Sequence, residues 1–204
     1  MADLSVSRNE TSESLALIVE DVGAELPGYR HKTSPDGMLT VAFTDIEGST
    51  ELMERIGEER WMEVMVGHNR LVRDCVRAHG GDVVKSQGDG FMVLFSSTSA
   101  ALDWAVDLQR ALARHNEGQP VAPVRVRVGL HTGNIFQTEE DFLGKAVVLA
   151  ARITGRARGG QILVSEASME YTRLVGRWSY DESMELRLKG LASAERVYSL
   201  DWAG

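Results

Sequence analysis

The chain has 204 residues, of which 43% are hydrophobic and 25% charged, and its formal net charge is −8. These values suit one globular domain with a short appendage. The acidic balance argues against nucleic acid as the main partner, because that binding depends on basic side chains that neutralise phosphates. No apolar run approaches the ~20 residues that span a bilayer, residues 1–9 lack the pattern of a secretory signal, and the single cysteine, Cys75, has no disulfide partner. We therefore expect a cytoplasmic protein without membrane insertion.

The first 37 residues differ from the rest of the chain. Four apolar residues recur there at the spacing of one helix face: Leu15, Ile18, Val22 and Leu26. The stretch YRHKTSPDG at 29–37 is rich in residues that interrupt regular structure. We predict an N-terminal extension over 1–37, formed by a short amphipathic helix and a linker, ahead of a main domain over 38–204. The extension is a plain tail, a helix docked on the main domain, or a regulatory segment.

From residue 38 onward, strand-like and helix-like patterns alternate. The predicted strands are 39–43, 82–85, 91–95, 124–130, 161–164, 185–188 and 196–200. The predicted helices are 60–79, 99–115, 144–157 and 166–174. Turn residues predict one hairpin at 86–90 and a second at 132–134. The order predicts an α/β (α+β) fold, with a βαββαβ core, a mixed sheet with helices packed on one face, and a C-terminal α/β extension.

The motif FTDIEGST at 43–50 joins the end of the first strand to the start of a helix. Asp45 places a carboxylate at the strand end, and such a hard oxygen ligand suits a Mg²⁺ ion that also binds substrate phosphates. The amides around Gly48, Ser49 and Thr50 can point at phosphate oxygens from a helix N-terminus. In the alternative interpretation, Asp45 or Ser49 only caps the helix.

The motif KSQGDG at 85–90 forms the tight hairpin. By itself, Asp89 between two glycines is most simply an ordinary turn residue. In a βαββ arrangement, however, the first strand lies beside the hairpin, so that Asp45 and Asp89 can converge. Two cations that clamp the attacking and leaving oxygens of a phosphoryl displacement require such paired carboxylates.

Several motifs occur in a fixed order over residues 39–200. They are FTDIEGST, VKSQGDGFMVLF, VRVRVGLHTGNIF, DFLGKAVVLAARI, GGQILVS, LRLKGL and RVYSL. Together they resemble the class III adenylate cyclase catalytic domain. The resemblance implies a catalytic domain over 38–204, with a ferredoxin-like palm core and a mostly antiparallel sheet. It also implies a head-to-tail homodimer with two active sites at the interface, and conversion of ATP to 3′,5′-cyclic AMP and pyrophosphate.

The resemblance also implies roles for individual residues. Asp45 and Asp89 match the metal-binding aspartates, which hold two Mg²⁺ or Mn²⁺ ions per site with the help of the Ile46 carbonyl. Arg152 matches the arginine that stabilises charge on the α-phosphate, and Lys189 matches a lysine that contacts the triphosphate. In this family the metal aspartates come from one subunit, and the arginine comes from the other.

Lys85 and Asp141 match the pair that reads the adenine ring, which the second subunit also supplies. A lysine only donates hydrogen bonds and an ionised aspartate only accepts them, so that the pair suits adenine N1 and the exocyclic amine. Guanine reverses this edge, so the pair favours ATP over GTP. No side chain stands out as a general base, and we expect structural or solvent-facing roles for all five histidines: His31, His68, His79, His115 and His131.

One position departs from the family pattern. The family usually has an asparagine one helical turn before the arginine, and this chain has Val148 there. Two alternatives to an active adenylate cyclase therefore stay open: a weak or silent domain that binds nucleotide or mediates dimerisation, and a guanylate cyclase. A diguanylate cyclase shares the palm core, but the chain has no GGDEF-like turn.

Overall fold

The computed structural model describes residues 38–118, 122–137, 142–187 and 194–204. The predicted extension over 1–37, Asp141 and Lys189 lie outside the described residues. No helix in the described ranges is long and apolar enough to cross a membrane.

A seven-stranded sheet forms the centre of the domain, in the order β2-β3-β1-β4-β7-β9-β8. Its strands are β1 (Met38–Ile46), β2 (Asp82–Gln87), β3 (Gly90–Phe95), β4 (Val126–Asn134), β7 (Ile162–Ser165), β8 (Tyr180–Leu186) and β9 (Glu195–Leu200), and a separate pair joins β5 (Phe136–Gln137) to β6 (Phe142–Leu143). All neighbours are antiparallel except β4 and β7. The helices are α1 (Ser49–Ile56), α2 (Glu58–Ala78), α3 (Thr98–Glu117), α4 (Lys145–Thr154) and α5 (Glu166–Thr172). The predicted βαββαβ core and mostly antiparallel sheet are confirmed.

Helices cover both faces of the sheet, so the prediction of helices on one face is wrong. Buried side chains alternate along β1, with Ala42 in the core that α2 and α3 share and Val41 in the core that α4 covers. The almost continuous apolar run of α4 has to be buried. Because α2 and α3 occupy the first face, α4 packs on the second, over β1, β4 and β7.

The predicted turn at 132–134 is also wrong, since β4 continues through these residues. Thr132 pairs with Thr40, and Asn134 pairs with Met38. The sequence of these three residues favours a turn locally, but β1 is long enough to offer each of them a cross-strand partner. Tertiary pairing therefore overrides local turn preference.

The C-terminal end of α4 lies directly against the sheet. A Cβ atom on Gly129 of β4 would stand 2.4 Å from the Thr154 nitrogen, so only glycine allows this approach. The Thr154 hydroxyl donates to the Ala150 carbonyl at 2.8 Å and lies 3.4 Å from the Phe43 carbonyl. The last turn of α4 is thereby fixed beside the end of β1, where the predicted site begins.

Candidate active site

Asp45 lies one residue before the end of β1, opposite Arg127 on β4. Side chains of directly opposed residues lie on the same sheet face. The Asp45 Oδ2 atom accepts a hydrogen bond from Arg127 Nε at 2.6 Å and also contacts Nη2 of the same guanidinium. The alternating VRVRV pattern predicts an exposed cationic face, but only the register of β1 and β4 reveals that Arg127 holds Asp45. Arg127 is therefore a site residue that sequence reasoning missed.

Asp89 reaches the same end of the sheet from the hairpin. Gly88 adopts a left-handed conformation (φ +62°), which permits the tight turn between β2 and β3. The Asp89 Oδ2 atom accepts a hydrogen bond from the Ile46 backbone N–H at 3.2 Å. The carboxylate of Asp89 thus lies at the amide that directly follows Asp45. The structure brings the two aspartates together, as the sequence predicted.

Gly90 makes this close approach sterically possible. A Cβ atom there would stand 2.8 Å from the Thr44 carbonyl oxygen and 3.9 Å from Asp45 Oδ1. The neighbouring Phe91 N–H donates to the Thr44 hydroxyl at 3.1 Å, which holds β3 against β1. Any side chain at position 90 would separate the hairpin from β1 at the point where the aspartates meet.

We expect Gly90→Ala to lower the free energy of unfolding by ~1–3 kcal/mol, because the added methyl group meets backbone that has little room to move. Urea unfolding measures the change. The matched control is Gly118→Ala at the end of α3, where φ is −83° and the nearest neighbour of a new Cβ lies at 3.6 Å. Equal stability of the two variants would contradict this explanation of Gly90.

An open cleft of about 370 Å³ lies beside Asp45, between the hairpin and the end of α4. Asp45, Lys85, Arg127 and Thr154 are among its lining residues. Lys85 is opposite Met92, directly after a register shift in β2 that follows Val83. Such a bulge changes the face to which the following side chains point. The irregularity in β2 therefore puts Lys85 on the cleft side of the sheet.

A second cleft, of about 320 Å³, lies on the other side of the hairpin turn. Ser49, Thr50 and Asp89 are among its lining residues, together with mostly apolar side chains of α1 and α2. Gly48 adopts a left-handed conformation (φ +65°) immediately before α1, so the chain turns sharply from Asp45 into the helix. Ser49 and Thr50, two of the predicted phosphate-binding residues, thus share this cleft with Asp89.

Arg152 does not line the cleft that holds Asp45 of its own chain. Its neighbours Ala151, Thr154 and Gly155 line that cleft, whereas Arg152 Nη1 is buried and has no hydrogen-bond partner within the described part of the chain. Residue Val148 precedes it by one helical turn and is 43% exposed. The structure therefore brings Asp45, Asp89 and Lys85 of one chain to one region, whereas the family resemblance implies that the second subunit supplies Lys85. Arg152 lies outside this region.

Glu47 connects the aspartate loop to the chain beyond α4. Its carboxylate accepts the Gly159 N–H at 2.9 Å and pairs with Arg125 at 2.8 Å. A Cβ atom on Gly159 would stand 2.7 Å from both Glu47 and Arg125, so the contact depends on glycine. Sequence reasoning did not single out Glu47, because its partner is 112 positions away in the chain.

Three of the four described histidines, His68, His79 and His131, are consistent with structural or surface roles, and His31 lies outside the described residues. His68 packs against Phe91 beneath the hairpin, and burial lowers its pKa to about 4, so it stays neutral near Asp89. His131 is also buried, its pKa is likewise lowered to about 4 by burial, and its Nδ1 lies 2.9 Å from the Ser165 hydroxyl. His79 pairs with Asp107 at the surface. None of these three lines the cleft with Asp45.

The donor set at the site fits a hard divalent cation. Within the described ranges no group of three or more His, Cys, Asp or Glu side chains could form a metal cage. Two carboxylates near one end of a sheet, together with neighbouring backbone oxygens, are typical of sites for Mg²⁺ or Mn²⁺, which keep waters and share substrate phosphates. Asp45 Oδ2 is held by Arg127, while Oδ1 lies on the side of Gly90 and the hairpin.

Known proteins resemble this chain in sequence and in fold. An adenylate cyclase of Mycosarcoma maydis is 35% identical over 191 residues, a match that covers 78% of this chain and 8% of the fungal protein. The crystal structure of the adenylyl cyclase CyaB from P. aeruginosa has a TM-score of 0.73 at 22% identity and covers 80% of this chain and 93% of that chain. The guanylyl cyclase Cya2 has a TM-score of 0.70 at 24% identity, with 80% and 91% covered. At these identities, the two structures establish the fold.

Residues 32–201 match the family of the adenylate and guanylate cyclase catalytic domain. This match includes the two aspartates, Lys85, Arg127 and Arg152. Asp45, Lys85 and Arg127 lie on strands of the sheet, Asp89 lies in the hairpin turn and Arg152 lies on α4. The chain belongs to the adenylate and guanylate cyclase catalytic domain family.

Proposed function

We propose that the chain is an adenylate cyclase, whose catalytic domain spans residues 38–204 and acts as a head-to-tail homodimer in the cytoplasm, where ATP is available. The ribose 3′-hydroxyl loses its proton and attacks the α-phosphorus in line, the bond to the β-phosphate oxygen breaks, and pyrophosphate leaves. The observation that carries the proposal is the meeting of Asp45 and Asp89 at one end of the sheet, through the hydrogen bond from the Ile46 amide.

The two aspartates and the Ile46 carbonyl would hold two Mg²⁺ or Mn²⁺ ions. When bound, these ions lower the pKa of the 3′-hydroxyl and neutralise charge on the leaving pyrophosphate. Arg127 orients Asp45 and adds a positive charge to the cleft wall, where a phosphate oxygen can accept from the same guanidinium. The amides after Gly48 complete the phosphate contacts from the start of α1. Lys189, outside the described residues, is the further triphosphate contact that we propose.

Shared active sites explain the position of Arg152. Its own cleft excludes it, so in a head-to-tail dimer it would serve the Asp45 and Asp89 of the other copy. Exposed apolar side chains lie beside its helix, since Phe136 is 69% and Leu143 53% exposed on the paired strands β5 and β6. Such a patch is typical of an interface between protein chains. In the dimer, Arg152 would stabilise charge on the α-phosphate.

The pairing of Lys85 with Asp141 would give the preference for ATP. We expect the double variant Lys85→Glu and Asp141→Gly to lower kcat/KM for ATP by at least ~10²-fold, because the variant no longer offers the adenine edge its donor and acceptor. The kcat/KM for GTP should rise in parallel. Assays with both nucleotides in the presence of Mn²⁺ measure the ratio of kcat/KM for ATP to kcat/KM for GTP. A preference that stays with ATP would show that other residues read the base.

A second candidate function is a domain that binds nucleotide but turns it over slowly or not at all, and Val148 favours it. We expect Val148→Asn to raise kcat by up to ~10²-fold, because the amide adds a donor one turn from Arg152. The exposure of Val148 means that the polar side chain displaces no core packing. The control is Val148→Ala, which adds no donor and should not raise kcat. Equal kcat values for both variants would contradict this role for position 148.

The direct test of function is product formation by the full chain. Purified protein is incubated with ATP or GTP and Mn²⁺, and the cyclic nucleotide is quantified by chromatography. The adenylate cyclase proposal predicts cyclic AMP as the main product. Cyclic GMP in excess of cyclic AMP would indicate a guanylate cyclase. Retained nucleotide binding without either product would favour the silent domain.

A further inference from the structure

The end of α5 carries an apolar patch of three neighbouring side chains. Tyr171, Leu174 and Val175 are 49%, 95% and 50% exposed, and their spacing places them on one side of the helix end. The chain continues the helical path briefly after Thr172, since the Val175 N–H donates to the Thr172 carbonyl at 3.0 Å. Single exposed apolar residues are ordinary, but contiguous ones usually have a partner.

The N-terminal extension enters the domain next to this patch. The first described residue, Met38, begins β1, and its sulfur contacts the Tyr171 hydroxyl. Residues 27–37 separate the predicted apolar stripe from Met38, and a chain of that length can span up to ~35–40 Å. A segment tethered this closely has an effective concentration in the millimolar range. The patch is therefore within easy reach of residues 15–26.

The chemistry of the extension complements the patch. Its four-residue apolar stripe, from Leu15 to Leu26, offers a hydrophobic face of suitable size, and the stretch 11–26 contains four acidic residues and no Lys or Arg. Arg173 lies within the patch sequence, but it already pairs with Glu170 at 3.0 Å. The match between the extension and the patch therefore depends on apolar area and not on charge.

We propose that residues 15–26 of the extension dock through their apolar stripe on the patch formed by Tyr171, Leu174 and Val175 of the same chain. This contact would fix the extension against α5 and extend the hydrophobic packing beyond the start of β1. The proposal does not depend on the cyclase activity, and it involves residues other than those assigned to the dimer surface.

Disulfide trapping in the full chain tests the contact. In a Cys75→Ser background, the pair Ile18→Cys and Leu174→Cys should form an intrachain disulfide ~10-fold faster than the matched pair Glu20→Cys and Leu174→Cys, because a disulfide requires Cα atoms within about 7 Å. Residue 20 is joined to the domain by nearly the same length of chain as residue 18, but it lies on the opposite side of the predicted helix. Equal rates, or disulfides that form mainly between two chains through position 174, would overturn the proposal.

Hydrogen exchange supplies a second readout that does not depend on cysteine chemistry. In the full chain, the combined variant Leu15→Ser, Ile18→Ser and Val22→Ser should increase exchange of the backbone amides at 166–176, because the docked segment no longer protects them. The control variant carries serine at three acidic positions of the same stretch: Glu13, Glu20 and Glu25. Unchanged exchange in the apolar variant would contradict docking on α5.

Discussion

Replacing Asp45 with asparagine is expected to lower cyclic AMP formation by ~10³-fold or more, because the site loses an anionic oxygen ligand that the reaction requires. The fold should survive the change. Asp45 and Arg127 are 35% and 32% exposed, and an ion pair with such exposure contributes at most about 1 kcal/mol to stability. Initial rates with ATP and Mn²⁺, together with a thermal unfolding curve, measure both effects.

The companion variant Asp89→Asn separates charge from position. The carboxamide oxygen can still accept the hydrogen bond that the Ile46 N–H donates to Asp89, so the hairpin should keep its place against β1. Activity should nevertheless fall as far as in Asp45→Asn. Asp74→Asn, which removes an exposed partner of Arg77 on α2, is the matched control and should remain active. If either site variant keeps more than about a tenth of wild-type activity, the metal role proposed for these aspartates is wrong.

Arg152→Ala is expected to lower kcat by ~10²–10³-fold, because one cationic donor to the transition state is lost. A mixture with Asp45→Ala chains should then regain activity. In a mixed dimer, one site combines the intact Asp45 of the Arg152→Ala chain with the intact Arg152 of the Asp45→Ala chain. Random mixing of equal amounts gives about half mixed dimers with one working site each, so that recovery should approach about a quarter of wild-type activity.

The mixing experiment has an internal control. A mixture of Asp45→Ala with Asp89→Ala chains should stay inactive, because both changes affect the half of the site that one chain supplies. Absence of recovery in the Asp45→Ala and Arg152→Ala mixture, despite dimers of normal size by light scattering, would mean that each site lies within one chain.

Much of the site could be predicted because its chemistry is concentrated in short motifs. Asp45 follows an apolar strand, and Asp89 sits between glycines that force a tight turn, so local sequence fixes both backbone positions. The βαββ order then places the two strands side by side. The approach of Asp89 to Asp45 follows from these local backbone positions together with the order of the strands.

Other features depend on strand register and long-range packing, which no local pattern encodes. Arg127 reaches Asp45 only because β4 pairs with β1 in one particular register. A bulge in β2 decides the direction of Lys85. Glu47 contacts Gly159, which lies 112 positions away in the sequence. For the same reason, the turn predicted at 132–134 was replaced by strand pairing, and α4 was found on the second sheet face.

The proposed catalysis requires divalent cations held by Asp45 and Asp89 beneath a nucleotide. Electron paramagnetic resonance can count Mn²⁺ bound to the full chain in the presence of an ATP analogue that cannot cyclise. We expect about two Mn²⁺ ions per chain, and loss of this binding in both Asp45→Asn and Asp89→Asn. Mn²⁺ binding that is unchanged in the two variants would contradict a metal-binding role for Asp45 and Asp89.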